Sequence, residues 1–117
     1  MDLKTIIKIQ TDFDREHKIK FDWSKKIDNE HIDILQFLTV ALAGETGEFA
    51  NVVKKIIRGD RSLVDSKGQL SSEIADVFIY VLKLSYQLEI DLEQAFMDKL
   101  KENEVRFEKY RINKDEI

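Results

Sequence analysis

Glu45 with Glu48, and Glu73 with Asp76, stand three residues apart in stretches that otherwise carry the apolar pattern of buried helix. Residues at that spacing share a helix face, so each pair turns two carboxylates toward the same neighbour. Acids are almost never fully buried unless they are paired or hold a metal. Four converging carboxylates that nearby bases cannot all match therefore ask for a cation. Ligation by oxygen alone suits a hard divalent ion, Mg2+ or Mn2+, and not zinc, which prefers His and Cys.

The elements that position these acids follow from apolar periodicity. There is no Pro and there are only 4 Gly, so long helices joined by short turns are expected. The first helix is predicted from Asp2 to about His17, with Leu3, Ile6 and Ile7 opening its apolar stripe and Gln10 and His17 close to the same line. A looser stretch, Lys18 to Glu30, carries Phe21 and Trp23 among charged residues. The second helix is expected from near Asp33 to just before Gly59, whose missing side chain suits a helix stop. Arg61 to Lys67 reads as a polar loop, and Ser66 with Gln69 as a capping box opening a third helix to about Glu89. Asp91 reads as the N-cap of a fourth helix through Phe107, with Gln94 in the reciprocal position. From Tyr110 the chain is expected to be frayed and solvated. No segment alternates with period two between turn residues, so the fold class is all-α, a four-helix bundle forming a single domain over 1–117.

On the second helix Leu38, Leu42, Phe49, Val52 and Ile56 share one side. At roughly 100° per residue Glu45 falls in the middle of that stripe and Glu48 on its flank. On the third helix Leu70, Ile74, Val77, Val81, Leu84 and Leu88 mark the buried side. Glu73 encroaches on it, Asp76 stands one turn along its edge, and the Tyr80 ring covers the same patch four residues on. An antiparallel return brings both acid pairs face to face. The fourth helix sets Lys99 and Asn103 in line with Leu92 and Phe96, with Arg106 close by. Mg2+ shares its shell among carboxylates, waters and substrate phosphates, so acids beside a lysine and an asparagine suit a polyphosphate held through metal. Plainer readings exist: a helix apolar nearly all round for Glu48, a Lys99 stem laid over the core, and simple core filling by Phe13 and Trp23.

Bulk properties narrow the classes. A chain of 117 residues, 43% hydrophobic and 36% charged, has the composition of one globular domain. Its formal charge of −4 argues against a nucleic-acid polymer as partner but not against a nucleotide whose charge a metal neutralises. Without Cys there is neither a disulfide framework nor a thiolate site. No stretch is apolar enough to span a bilayer and Met1 to Gln10 is too polar for a signal peptide, so a cytoplasmic location away from membranes is expected.

These motifs together resemble the MazG-like, all-α nucleoside triphosphate pyrophosphohydrolase superfamily. LAGETGEF (Leu42 to Phe49) is similar to its E-x-x-E motif, SEIADVFIYVLKL (Ser72 to Leu84) to its E-x-x-D motif, and DKLKENEVRF (Asp98 to Phe107) to its K-x-x-x-N segment. Order and spacing agree over about Ile7 to Phe107. The resemblance implies hydrolysis of a nucleoside triphosphate between its α and β phosphorus atoms, giving a monophosphate and pyrophosphate. It implies Mg2+ at Glu45, Glu48, Glu73 and Asp76, phosphate contacts from Lys99 and Asn103 with Arg106 beside them, and a glutamate, Glu48 among the candidates, taking the proton of the attacking water. Gln10, Phe13, Trp23 and Tyr80 match the family's base-contacting positions. The region from Asp14 to Ile32 diverges from the family pattern, which bears on base selectivity rather than on metal binding. The family forms dimers, often paired into tetramers, with sites at the subunit interface. A homodimer or homotetramer is expected on physical grounds too, since four helices this apolar cannot hide every stripe in a monomer.

Three alternatives stand beside this reading, one a close relative and two from other classes. Phosphoribosyl-ATP pyrophosphatase of histidine biosynthesis shares the scaffold and the metal logic. A di-iron bundle needs Glu-x-x-His pairs on inward faces, and this chain has only His17 and His31, both outside the apolar core helices. A non-catalytic helical interaction module would leave the acids without turnover.

Overall fold

The computed structural model describes residues 1–113 and 115. Four α-helices, α1 (Leu3–Glu16), α2 (Ile32–Ile57), α3 (Leu63–Gln87) and α4 (Leu92–Arg106), are followed by a short 3-10 helix at Glu108–Tyr110. No strand occurs among the described residues, as the all-α reading expects. Side-chain caps open three of the helices by satisfying an N–H that has no intrahelical partner. The Asp2 carboxylate accepts from the Thr5 amide at 2.8 Å, Ser62 Oγ from Asp65 at 3.1 Å, and Asp91 from Gln94 at 3.0 Å.

Ser62, not Ser66, is therefore the cap of α3, and most of the expected loop from Arg61 to Lys67 is helix. Ser66 lies inside the first turns, fully buried, its hydroxyl donating back to the Ser62 carbonyl at 2.7 Å. The expected capping boxes do not close: Gln69 accepts from Arg61, and the Gln94 amide donates to Asp98. The turn residues are polar because the helix start is exposed, which is why their composition reads as loop. At its other end α2 stops at Gly59, whose φ of 85° would strain any residue with a Cβ. Glu89 takes the left-handed conformation at φ 57° after α3, and Ile90 N–H closes the turn onto the Ser85 carbonyl at 2.8 Å.

The short connection makes α2 and α3 an antiparallel hairpin, the most extensive packing in the chain, and α1 lies against α3. Val52 and Leu82 are buried along the hairpin, and Ile27, Ile34 and Leu38 form a buried cluster joined by Leu35, Phe37, Tyr80, Leu84 and Leu88. That core cluster sits at the end of the hairpin away from its turn. Two hydrogen bonds from the Gln87 amide, to the carbonyls of Trp23 (2.8 Å) and Lys25 (2.9 Å), fold the segment between α1 and α2 onto that core.

Other apolar positions find no cover within the chain. Ile74, expected on the buried side of α3, is 57% exposed, and Ile57 and Val64 at the hairpin turn are more so. No residue of α4 is fully buried. The radius of gyration is 18.1 Å, where a compact chain of this length has about 13 Å. Accessible surface reaches 9083 Å², where a folded monomer of this mass exposes roughly 6,600 Å². Among the described residues no helix is long and apolar enough to cross a membrane. Of the expected frayed end, Tyr110 closes the 3-10 helix, residues 111–113 are exposed, and Lys114, Glu116 and Ile117 lie outside the described residues.

The reassigned cap is open to a direct check. Ser62→Ala is expected to lower unfolding stability by about 1 kcal/mol. Ser66→Ala, which removes a hydroxyl already inside the helix, should cost less. Denaturant midpoints of the two variants measure this, and the reverse order would restore Ser66 as the cap.

Candidate functional site

Within the hairpin, Glu48 of α2 lies opposite Glu73 of α3, and Glu45 opposite Asp76, each pair about equally far from the turn. One carboxylate oxygen from each of Glu45, Glu73 and Asp76 comes within 4.8 Å of the other two. All three side chains are half-buried, yet Glu45 Oε2 and Glu73 Oε2 are closed off from solvent and have no hydrogen-bond partner. Buried acceptors without donors are rare in folded proteins. Here two of them converge with a third acid.

Electrostatics tell the same story. Burial, then the charges of Glu48 and Asp76, hold the Glu45 carboxyl above its ordinary range. Burial and the adjacent Glu48 carboxyl do the same for Glu73. Glu48 itself is exposed and stands outside the tight trio, close enough to perturb both glutamates. Like charges at this separation favour protonation of one or more members unless a cation intervenes. An all-oxygen set with two orphaned oxygens fits a hard divalent cation such as Mg2+, with Glu45, Glu73 and Asp76 as the residues that would hold it.

Next to the acids along α3 lies a pocket of about 220 Å³ lined by Gln10, Phe13, Asp14, Trp23, Tyr80 and Lys83, with Ile79. The four positions matched to base contacts by resemblance, Gln10, Phe13, Trp23 and Tyr80, thus share one cavity. Tyr80 belongs to both regions. Its hydroxyl pKa is raised by burial first and then by the charges of Glu45, Asp76 and Asp14. Phe13 stacks on His17 with ring centroids 4.0 Å apart, and His17, expected close to the apolar stripe of α1, is the exposed residue that caps the end of that helix. The Trp23 indole N–H donates to the His17 carbonyl at 3.1 Å, which sets the ring against the end of α1.

The floor of the pocket is a charged pair that periodicity did not single out. Asp14 is 1% exposed and Lys83 2%. Gln10 donates to Asp14 Oδ1 at 2.9 Å, and the Tyr86 hydroxyl donates to Oδ2. Burial, then this bond to Asp14, push the Tyr86 phenol far above its ordinary pKa. A signal existed in the sequence: Asp14 follows Ile7 and Gln10 at helical spacing, and Lys83 continues the line Glu73, Asp76, Tyr80. Each residue alone reads as a surface charge, and only the contact between α1 and α3 pairs them.

The α4 residues are not gathered with the acids. Lys99 is exposed and bonds Glu102 at 3.0 Å, Asn103 is half-buried, and Arg106 lies over the Phe107 ring at 4.9 Å. This helix makes no extended packing with α2 or α3.

The raised carboxyl pKa values fix the sign of a pH effect. A carboxyl held above its unfolded value contributes stability that is complete below that value and is lost as pH rises through the folded pKa. Between about pH 4.5 and neutrality, metal-free Glu45→Gln is therefore expected to gain melting temperature relative to the wild-type protein. Saturating Mg2+ should raise the melting temperature of the wild-type protein alone. Parallel pH profiles for the two proteins would contradict this.

A model of the MazG nucleotide pyrophosphohydrolase domain matches residues 34–106, more than half of the chain. Those residues take in both acid pairs, Tyr80, Lys83 and the three polar residues of α4, and leave out α1 and Trp23. The chain is also similar to the Gene 37 protein of Mycobacterium phage L5, with 38% identity over 65 residues, 54% of this chain and 57% of that protein. The match thus spans little more than half of that relative's length. No solved structure matches the chain. With nearly all of the hairpin and its facing acids inside the matched segment, this chain belongs to the MazG nucleotide pyrophosphohydrolase domain family.

Proposed function

We propose that this protein hydrolyses a nucleoside triphosphate between the α and β phosphorus atoms, in a Mg2+-dependent reaction that yields the monophosphate and pyrophosphate. One observation carries the reading: Glu45, Glu73 and Asp76 converge with two orphaned oxygens, and Tyr80 joins them to an aromatic-walled cavity. That juxtaposition suits a ligand with a polyanion at one end and a flat ring at the other. When bound, Mg2+ offsets phosphate charge and makes water easier to deprotonate. The protein's own groups account for the remainder. Glu48, beside the trio and open to solvent, accepts the proton as water attacks phosphorus. The bridging P–O bond breaks and its electron pair leaves with the departing phosphate oxygen. Gln10, Phe13, Trp23 and Tyr80 hold the nucleoside so that the triphosphate points at the acids.

Lys99, Asn103 and Arg106 enter from a second copy of the chain in this reading. The exposed α4, the uncovered apolar residues of the hairpin and the large accessible surface all favour an assembly. The surface in excess of a compact monomer is about 2,500 Å² per chain, the scale of an obligate subunit interface. The assembly is expected to be a dimer or tetramer, and a monomeric mass by light scattering at micromolar concentration would contradict it.

Activity decides the reading. Purified protein with Mg2+ and a panel of ribo- and deoxynucleoside triphosphates is expected to release pyrophosphate and the matching monophosphate. Chelation should abolish turnover, and Glu45→Gln or Asp76→Asn should lower kcat by about two orders of magnitude or more. Release of diphosphate with inorganic phosphate, or no turnover on any substrate, would refute it.

A further inference from the structure

Lys83 has unused bonding capacity in a place where that is rare. Its ammonium is 2.9 Å from Asp14 Oδ2, but at an angle that makes this an ion contact and leaves Nζ without an aligned hydrogen bond. An ammonium carries three N–H donors and no acceptor. Nζ also lies 4.2 Å from the centroid of the Trp23 ring, whose face attracts the cation without accepting a full hydrogen bond. A buried ammonium of this kind gains from any acceptor that a ligand brings to it. Lys83 lines the pocket, so such a ligand has room to meet it.

Position along α3 determines which part of a nucleotide that is. Glu73, Asp76, Tyr80 and Lys83 follow one another at spacings of three, four and three residues, on one helix face. From Asp76 to Lys83 the helix advances about 10 Å. With phosphates at the acids and the ring beside Tyr80, the edge of the base farthest from the sugar faces Lys83. The carboxylate on that wall is already committed, Oδ1 to Gln10 and Oδ2 to Tyr86 and Lys83. The far wall therefore offers a cationic donor with unused N–H groups, beside a carboxylate whose two oxygens each already accept a hydrogen bond.

Resting on the nucleotide-binding reading above, we infer that Lys83 selects the base by donating to an exocyclic carbonyl oxygen on its far edge. The site accordingly takes keto bases (uracil, thymine, guanine or hypoxanthine) over cytosine and adenine. In the last two, an amine occupies the corresponding position, and its protons would face the ammonium in a poorly screened pocket. Asp14 acts as a positioning residue, holding Lys83 while leaving its donors available.

The test uses equilibrium binding, which requires neither metal nor turnover. Trp23 is the only Trp in the chain and it lines the pocket, so its fluorescence reports occupancy. Full-length protein is titrated with dUMP, dTMP and dGMP, and separately with dCMP and dAMP. The keto monophosphates are expected to bind about tenfold tighter or better, and Lys83→Met to bring the ratio close to one. A purely structural Lys83 would alter stability in the variant but not this ratio. Equal affinities in the wild-type protein, tighter binding of the amino bases, or no binding of any monophosphate would overturn the inference, even if Lys83→Met fails to fold. Keto preference without pyrophosphate release would instead refute the hydrolytic reading and leave the role of Lys83 standing.

Discussion

Three carboxylates within 4.8 Å of one another in a half-buried groove repel one another unless a counter-charge intervenes, and the arrangement of the chain turns on that constraint. The α2–α3 hairpin imposes it. Its antiparallel packing sets Glu45 against Asp76, and the short connection through Gly59 joins the two helices. Hydrophobic burial at the far end, around Leu38, stabilises a geometry that the acids alone would oppose. Stability and site are thus in tension along the same two helices, as expected where a binding site is built at the expense of local stability.

The two remaining helices are held very differently. A buried network centred on Asp14, with donors from Gln10 and Tyr86 and the Lys83 cation beside it, docks α1 on α3. Removing one partner from such a network leaves an uncompensated buried charge, a strongly destabilising change. Gln10, Asp14 and Lys83 of this network also line the pocket. By contrast α4 has caps at both ends but almost no tertiary support, and its Lys99 and Gln94 bond Glu102 and Asp98 along the same helix. One half of the site is organised by a single chain. Under the proposed reading, the other half depends on a neighbour.

Much of this was legible in the sequence, for identifiable reasons. Long, unbroken apolar periodicity and the lack of Pro define four helices, and Glu45 is conspicuous because the stripe of α2 runs straight through it. Asp91 was readable as a cap because its partner lies three residues away. Ser62 was missed because the first turn of α3 is polar and Ser66 offers the same local pattern. Asp14 and Lys83 were missed for a deeper reason. Their significance lies in a contact between residues distant in sequence, and one-dimensional periodicity carries no such information. Ile74 marks the opposite error: its spacing says buried, but within one chain nothing covers it.

The central claim is that the three converging acids form a cation site for phosphate chemistry. Its most direct test is crystallographic, using Mn2+ as a visible substitute for Mg2+. Crystals grown with Mn2+ and a non-hydrolysable nucleoside triphosphate analogue should show an anomalous peak in contact with the carboxylates of Glu45, Glu73 and Asp76 and with a phosphate oxygen. A peak elsewhere, or none at saturating Mn2+ with the three acids paired to basic side chains of a neighbouring subunit, would contradict it.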